Sequence, residues 1–199
     1  MNIQLMSIVA GTRVCNARCP FCISKMTPEN GIGFKEPEIN LRNFKKACKF
    51  ASINNVHTIM ITSKGEPILY PNQITKYLEE LETHEFPIIE LQTNGTLIDL
   101  EEEKYLPYLK KWYNLGLTTI AISIVHYEAE KNRQIYLPYK KEYVNLPKII
   151  KLLHGIGYSI RLACIMSKGY IDSIEELNKL IDFAKKNKVE QLSIRPVNK

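Results

Sequence analysis

Apolar segments of this 199-residue chain alternate between two periodicities from one end to the other, and that alternation narrows the possible folds more than any other feature. Short apolar runs bounded by turn residues read as strands at Ile3–Ala10, His57–Thr62, Pro87–Gln92, Thr118–Ser123, Ser159–Met166 and Glu190–Arg195. Between them, apolar residues three and four apart predict helices near Leu41–Asn54, Pro71–Thr83, Glu101–Asn114, Pro147–Gly155 and Ser173–Lys188. Start signals agree: Asn40 and Ser173 are placed as N-caps, Pro71 and Pro147 as first-turn prolines, and Ser173 with Glu176 as a capping box. Strand–helix alternation implies parallel strands joined by right-handed crossovers, an α/β layer fold. Six strands are too few for a closed eight-fold barrel. The predicted architecture is a partial (βα)6-type TIM barrel, six parallel strands with helices outside and the site at the strand C-terminal ends.

Strand parity says what fills such a barrel. One face of the later strands is aliphatic: Leu91, Ile120 with Ile122, Ile160 with Leu162, and Leu192 with Ile194. The other is polar or small: Glu90 with Gln92, Thr119 with Ser123, Arg161 with Ala163, and Gln191 with Ser193 and Arg195. Aliphatic faces belong against helices, which turns the polar side chains inward. Barrel interiors are ordinarily packed with Val, Ile and Leu, and buried polar groups without partners are costly. A polar ligand and water are therefore expected inside.

The chemistry is carried by Cys15-Asn16-Ala17-Arg18-Cys19-Pro20-Phe21-Cys22, in a loop directly after the first strand. Cys15, Cys19 and Cys22 can hold three corners of an iron–sulfur cube, and no fourth cysteine lies nearby, which leaves one iron open to a substrate or cofactor. Zinc also takes clustered cysteines but usually wants four ligands in paired spacings. The remaining cysteines read as structural, Cys48 on the core-facing stripe of a helix and Cys164 on the apolar face of a strand. An odd cysteine count and the lack of a secretory signal argue against a disulfide framework. No apolar run approaches the roughly 20 residues that span a bilayer. A net charge of +6 attracts anions, yet no dense basic patch with interleaved aromatics points to nucleic acid. Free cysteines and an oxygen-sensitive cluster point to the cytoplasm. The whole chain, residues 1–199, reads as a single core domain with its cluster loop at about 11–37.

The C-x3-C-x2-C triplet, with Phe21 directly before its last cysteine, resembles the signature of the radical S-adenosylmethionine (radical SAM) superfamily. Ser63-Lys64-Gly65-Glu66-Pro67, after the second strand, is similar to the superfamily's Gly-Gly-Glu-Pro motif for the methionine amino group, with Lys64 in place of the first glycine. Thr93-Asn94-Gly95 is similar to a segment of the molybdopterin-synthesis and peptide-maturase branches. The resemblance implies Ser123 and Arg133 as cofactor contacts, the arginine on the cofactor carboxylate; the acidic residue that often follows the serine is missing here. It implies His126, Arg161 and Arg195 as substrate-facing candidates, Phe21, Gly65, Glu66 and Asn94 as cofactor-binding, and Val197 beside the adenine. No cysteine follows Cys164, so the auxiliary clusters of those branches are not expected.

The resemblance runs from Ile3 to about Val197. It implies a 4Fe-4S cluster and S-adenosylmethionine as cofactors, reductive cleavage to a 5′-deoxyadenosyl radical, and hydrogen abstraction from a small-molecule, peptide or protein substrate. It also implies an electron donor such as flavodoxin or ferredoxin. Two other readings of the triplet stand beside it: a non-catalytic iron–sulfur electron carrier or redox sensor, and a zinc-binding RNA-interaction module. Gly65 and Glu66 and the polar interior argue against an electron carrier, which needs neither.

Overall fold

The computed structural model describes residues 3–26, 35–137, 141 and 143–196. Among these, the strands β1 (Leu5–Val9), β2 (Thr58–Thr62), β3 (Ile88–Thr93), β4 (Thr119–Ile124), β5 (Ser159–Met166) and β6 (Gln191–Pro196) form one sheet in sequence order. All neighbouring pairs are parallel. Helices α1 (Leu41–Ile53), α2 (Pro71–Leu81), α3 (Thr96–Leu100), α4 (Glu102–Asn114), α5 (Ala129–Tyr136), α6 (Leu146–Ile156) and α7 (Ile174–Lys186) fill the crossovers. The result is the partial barrel that the alternation implies.

Register explains the two faces. Leu91, Ile120 and Ile160 align across three strands, and Ile122 aligns with Leu162 and Leu192. From Leu91 to Leu162 these residues are fully buried under the helices. Leu192 and Ile194 are only half-buried, because β6 lies at the sheet edge. Gln92, Ala121, Arg161 and Gln191 form the row on the opposite face. The helix layer is closed by Trp112, whose ring is buried and whose Nε1–H donates to Thr75 Oγ1 at 2.8 Å, so its one polar atom is satisfied.

Three local expectations change. Asn40 and Ser173 cap as predicted, accepting from the backbone N–H groups of Asn43 and Glu176. Glu176 does not return the bond of a capping box; its carboxylate is drawn to His126, Tyr127 and Lys179 instead. Helices α3 and α5 were not anticipated. The first has only five residues. The second, Ala-Glu-Lys-Asn-Arg-Gln-Ile-Tyr, buries only Asn132 and Tyr136 and has no apolar stripe to announce it. It is anchored by a side chain: Asn132 Oδ1 accepts from the N–H groups of Val125 and His126.

Candidate radical SAM site

The loop that carries the three cysteines is tied to the barrel at alternate residues. The Glu66 N–H donates to Val14 O at 2.9 Å. Asn94 Nδ2 donates to Asn16 Oδ1 at 2.8 Å, and Asn16 Nδ2 to Thr96 Oγ1 at 2.5 Å. The Arg18 N–H donates to Tyr136 O at 3.0 Å. Three different crossovers, after β2, β3 and β4, thus hold residues 14, 16 and 18 in place.

Gly65 makes the first of these ties possible. A Cβ on it would stand 2.0 Å from Val14 O, so no other residue lets the two backbones approach this closely. Asn94 Oδ1 meanwhile accepts from Thr96 N–H and Oγ1, which closes the start of α3. Gly95, at φ +73°, supplies the left-handed turn there.

Held in this way, Cys15, Cys19 and Cys22 line one cavity of about 410 Å³ at the C-terminal ends of the strands, together with Phe21, Gly65 and Glu66. Asn94, Ser123 and Arg195 complete its wall. Burial pushes the Cys15 thiol up to about 11 and Cys19 up to about 12, so ligation must displace their protons. Among the described residues, no three His, Cys, Asp or Glu donors are gathered closely enough to share one ion. A cube takes each thiolate on a different iron, and three cysteines spread around one cavity suit it.

Glu66 is the charge at the centre of this wall. It is 2% exposed. Its Oε1 accepts from the Ile68 N–H at 3.2 Å and from Thr93 Oγ1 at 2.7 Å, and its Oε2 from the Asn94 N–H at 2.9 Å. Burial raises its pKa to about 7, against the pull of these three bonds. A carboxyl so poised is ionised readily by an arriving cation.

The sequence matches the radical SAM superfamily over residues 9–184. The chain belongs to that superfamily. No curated protein matches it. Among solved structures it is similar to SuiB of Streptococcus suis bound to its precursor peptide SuiA, with a TM-score of 0.68, 19% identity, and coverage of 100% of this chain and 40% of that one. Methylornithine synthase PylB gives 0.69 at 15% identity, covering 99% and 54%. The AdoMet-bound anSMEcpe gives 0.64 at 16%, covering 98% and 52%. At such identities the likeness is one of fold, and this chain spans roughly half or less of each relative's length.

Several residues singled out in the radical SAM reading lie elsewhere. His126 is fully buried behind the cavity wall. Its Nε2 is 3.1 Å from Glu176 Oε2, its Nδ1 accepts from the Glu128 N–H, and its ring packs on Tyr127. Burial lowers its pKa, so it serves the α7 contact rather than facing substrate. Arg133 pairs with Glu130 on α5, a helix unseen in the sequence, and is not among the residues that line the cavity.

Arg161 lines a smaller adjoining cavity of about 140 Å³ with Gln92, Ser193 and Arg195. Its guanidinium passes over the small Ala121 to make a bidentate pair with Glu90, with Nε at 2.7 Å from Oε2 and Nη2 on Oε1. The polar barrel interior is thus partly satisfied by its own residues. Val197 falls outside the described residues. Asn16 and Tyr136 had no signal in the sequence, since a lone asparagine between cysteines and a tyrosine on a polar helix look incidental.

Proposed function

We propose that this chain is a radical SAM core, one domain with its cluster loop at about 11–37, in which Cys15, Cys19 and Cys22 bind a 4Fe-4S cluster. The single observation that carries this reading is the convergence of the three cysteines with the buried Glu66 on one cavity, held by the Gly65–Val14 approach. The cluster, when bound, supplies the electron that cleaves S-adenosylmethionine to a 5′-deoxyadenosyl radical able to take a hydrogen atom from substrate.

The chain's own residues bind and orient. Glu66 offers its carboxylate to the methionine ammonium, held in place by Thr93 and the Asn94 N–H. Asn94 couples that carboxylate to the cysteine loop. Phe21 and Ser123 flank the cofactor on the cavity wall. Glu90 and Arg161 neutralise each other below it, which leaves Arg195 as the cation that faces both cavities and receives an anionic group of the substrate. A peptide substrate is one candidate, since the similar SuiB is seen with its precursor peptide.

Outside the loop, a depression shared by the three cysteines is also lined by Arg13, Arg18 and Lys25. That charge suits an acidic electron donor such as flavodoxin or ferredoxin. Among the described residues no helix is long and apolar enough to cross a membrane.

Anaerobic reconstitution with iron and sulfide tests the reading. The expected product is a brown protein with about four irons per chain that forms 5′-deoxyadenosine from S-adenosylmethionine when reduced. A protein that binds no iron overturns it. A cluster that never cleaves S-adenosylmethionine favours the electron-carrier alternative.

A further inference from the structure

The last of the three loop cysteines sits on a tight turn that the backbone holds closed. The Cys22 N–H donates to Cys19 O at 3.3 Å, and the Lys25 N–H donates to Cys22 O at 3.1 Å. A short helical turn over Ile23–Met26 follows directly. This turn brings the Ser24 hydroxyl back to the cysteine, with Oγ 3.0 Å from Cys22 Sγ. In the free thiol either atom can donate. A cysteine that ligates iron has given up its proton, so in the loaded site the hydroxyl is the donor and the sulfur the acceptor.

Ser24 is half-buried. It lines the depression outside the loop together with Cys22 and Lys25, and it is not among the residues that line the cavity. It is thus placed to act on the sulfur rather than on what the cavity binds. Cys15 has donors of its own: the Ala17 N–H reaches its Sγ at 3.4 Å and Asn94 Nδ2 lies at 3.9 Å. The Ala17 donor belongs to the backbone, whereas the donor on Cys22 belongs to a side chain that can be exchanged without moving the chain.

We propose that Ser24 acts through Cys22, donating a hydrogen bond to its ligating sulfur and so raising the reduction potential of the bound cluster. The inference rests on the reading that Cys15, Cys19 and Cys22 hold a cluster. Hydrogen bonds to the sulfurs and solvent exposure both set cluster potentials, and groups one step beyond the ligands tune a metal site through them. An added electron makes the cluster more negative. A donor on its sulfur stabilises that state more than the oxidised one, because hydrogen bonds strengthen with the charge of the acceptor. The hydroxyl therefore brings the cluster within easier reach of a one-electron donor than the same loop would without it.

The test uses Ser24→Thr and Ser24→Val, both β-branched and nearly alike in shape, of which only threonine keeps the hydroxyl. Packing and solvent access change alike in the pair, so a difference between them reports the hydrogen bond. Parent and variants are reconstituted, matched in iron content and titrated with EPR detection. The reduced-to-oxidised ratio at fixed potential should fall about tenfold in Ser24→Val, equivalent to about 59 mV for one electron, and Ser24→Thr should stay close to the parent. Proton ENDOR of the reduced cluster, compared in ordinary and heavy water, should lose exchangeable-proton intensity in Ser24→Val and keep it in Ser24→Thr. Ser52→Ala, which removes a hydroxyl from an exposed position on α1, should leave both readings unchanged. Equal potentials in Ser24→Thr and Ser24→Val overturn the inference, as does an equal shift in Ser52→Ala. If Ser24→Val assembles no cluster, Ser24→Ala takes its place, and a potential equal to that of the parent overturns the inference there. A parent that assembles no cluster overturns the underlying reading, whereas a parent with a cluster and no difference within the pair removes only the role of Ser24.

Discussion

Glu66 should make the stability of the apo protein fall as pH rises, the reverse of what a paired surface carboxylate does. Its side chain is buried, it has three hydrogen-bond donors around it, and no cation pairs with it among the described residues. Burial raises its pKa from 4.5 to about 7. Between those values the folded chain holds a proton that the unfolded chain has lost. The stability contributed by the neutral form is thus fully present below pH 4.5 and is lost as pH rises through 7. A shift of this size corresponds to about 3 kcal/mol across the window. Glu66→Gln has no proton to lose. Urea unfolding of both apo proteins from pH 4.5 to pH 8 should give a parent-minus-variant stability that declines by about 3 kcal/mol and then levels. Affinity of the reconstituted parent for S-adenosylmethionine should rise through the same window as the carboxylate ionises. It should be about ten- to a hundred-fold weaker and flat in Glu66→Gln, the size of one charge-assisted bond. Parallel stability profiles, or an affinity independent of pH in the parent, would refute the reasoning.

Single changes of Cys15, Cys19 or Cys22 to alanine should each abolish the brown absorbance and iron retention. Cys48→Ala and Cys164→Ala, at buried positions outside the loop, should leave both unchanged; equal loss from Cys48→Ala would contradict the ligand assignment. Gly65→Ala places a methyl 2.0 Å from Val14 O, and overpacking of this kind costs about 1–3 kcal/mol. Iron retention against a chelator should fall with it, and a variant that melts and holds iron like the parent would show that the backbone approach is dispensable. Arg161→Ala leaves Glu90 buried without its partner, which costs about 3–5 kcal/mol in comparable pairs. Normal stability in urea would return Arg161 to a substrate-facing role.

What could be read from the sequence was what repeats along it. All six strands lie within two residues of the ends expected for them because each has its own apolar pattern, and the three loop cysteines, Gly65, Glu66, Asn94 and Ser123, which follow those strands, line one cavity. The residues that went elsewhere depend on α5. A helix with no apolar stripe gives no period to detect, and its placement by the Asn132 side chain decides that Arg133 faces Glu130 and that His126 turns toward Glu176. Arg161 was assigned to the correct face of β5, but its partner is two strands away, on the far side of β4. Pairings of that range lie in the register of the sheet, not in any local run of residues.

The ties between loop and barrel also predict that cluster binding and cofactor binding are coupled. Glu66 donates its N–H to the loop at Val14 while its carboxylate accepts from the Asn94 N–H, and the Asn94 side chain returns to the loop at Asn16. A ligand that orders the carboxylate therefore orders both anchors of Cys15. The Asn16–Asn94 bond is the link that can be cut without removing a thiol or the charge, although both side chains also touch Cys15 Sγ, at 4.0 and 3.9 Å. Asn16→Ala and Asn94→Ala should each destabilise the apo chain, and the double variant should be less destabilised than the sum by the bond they share, about 0.5–1.5 kcal/mol. In reconstituted protein, S-adenosylmethionine should slow iron loss to a chelator in the parent, and both single variants should lose most of that protection while still binding iron. Additive stabilities together with undiminished protection would mean that the cysteine loop is held by its own conformation, and that Asn94 serves only to start α3.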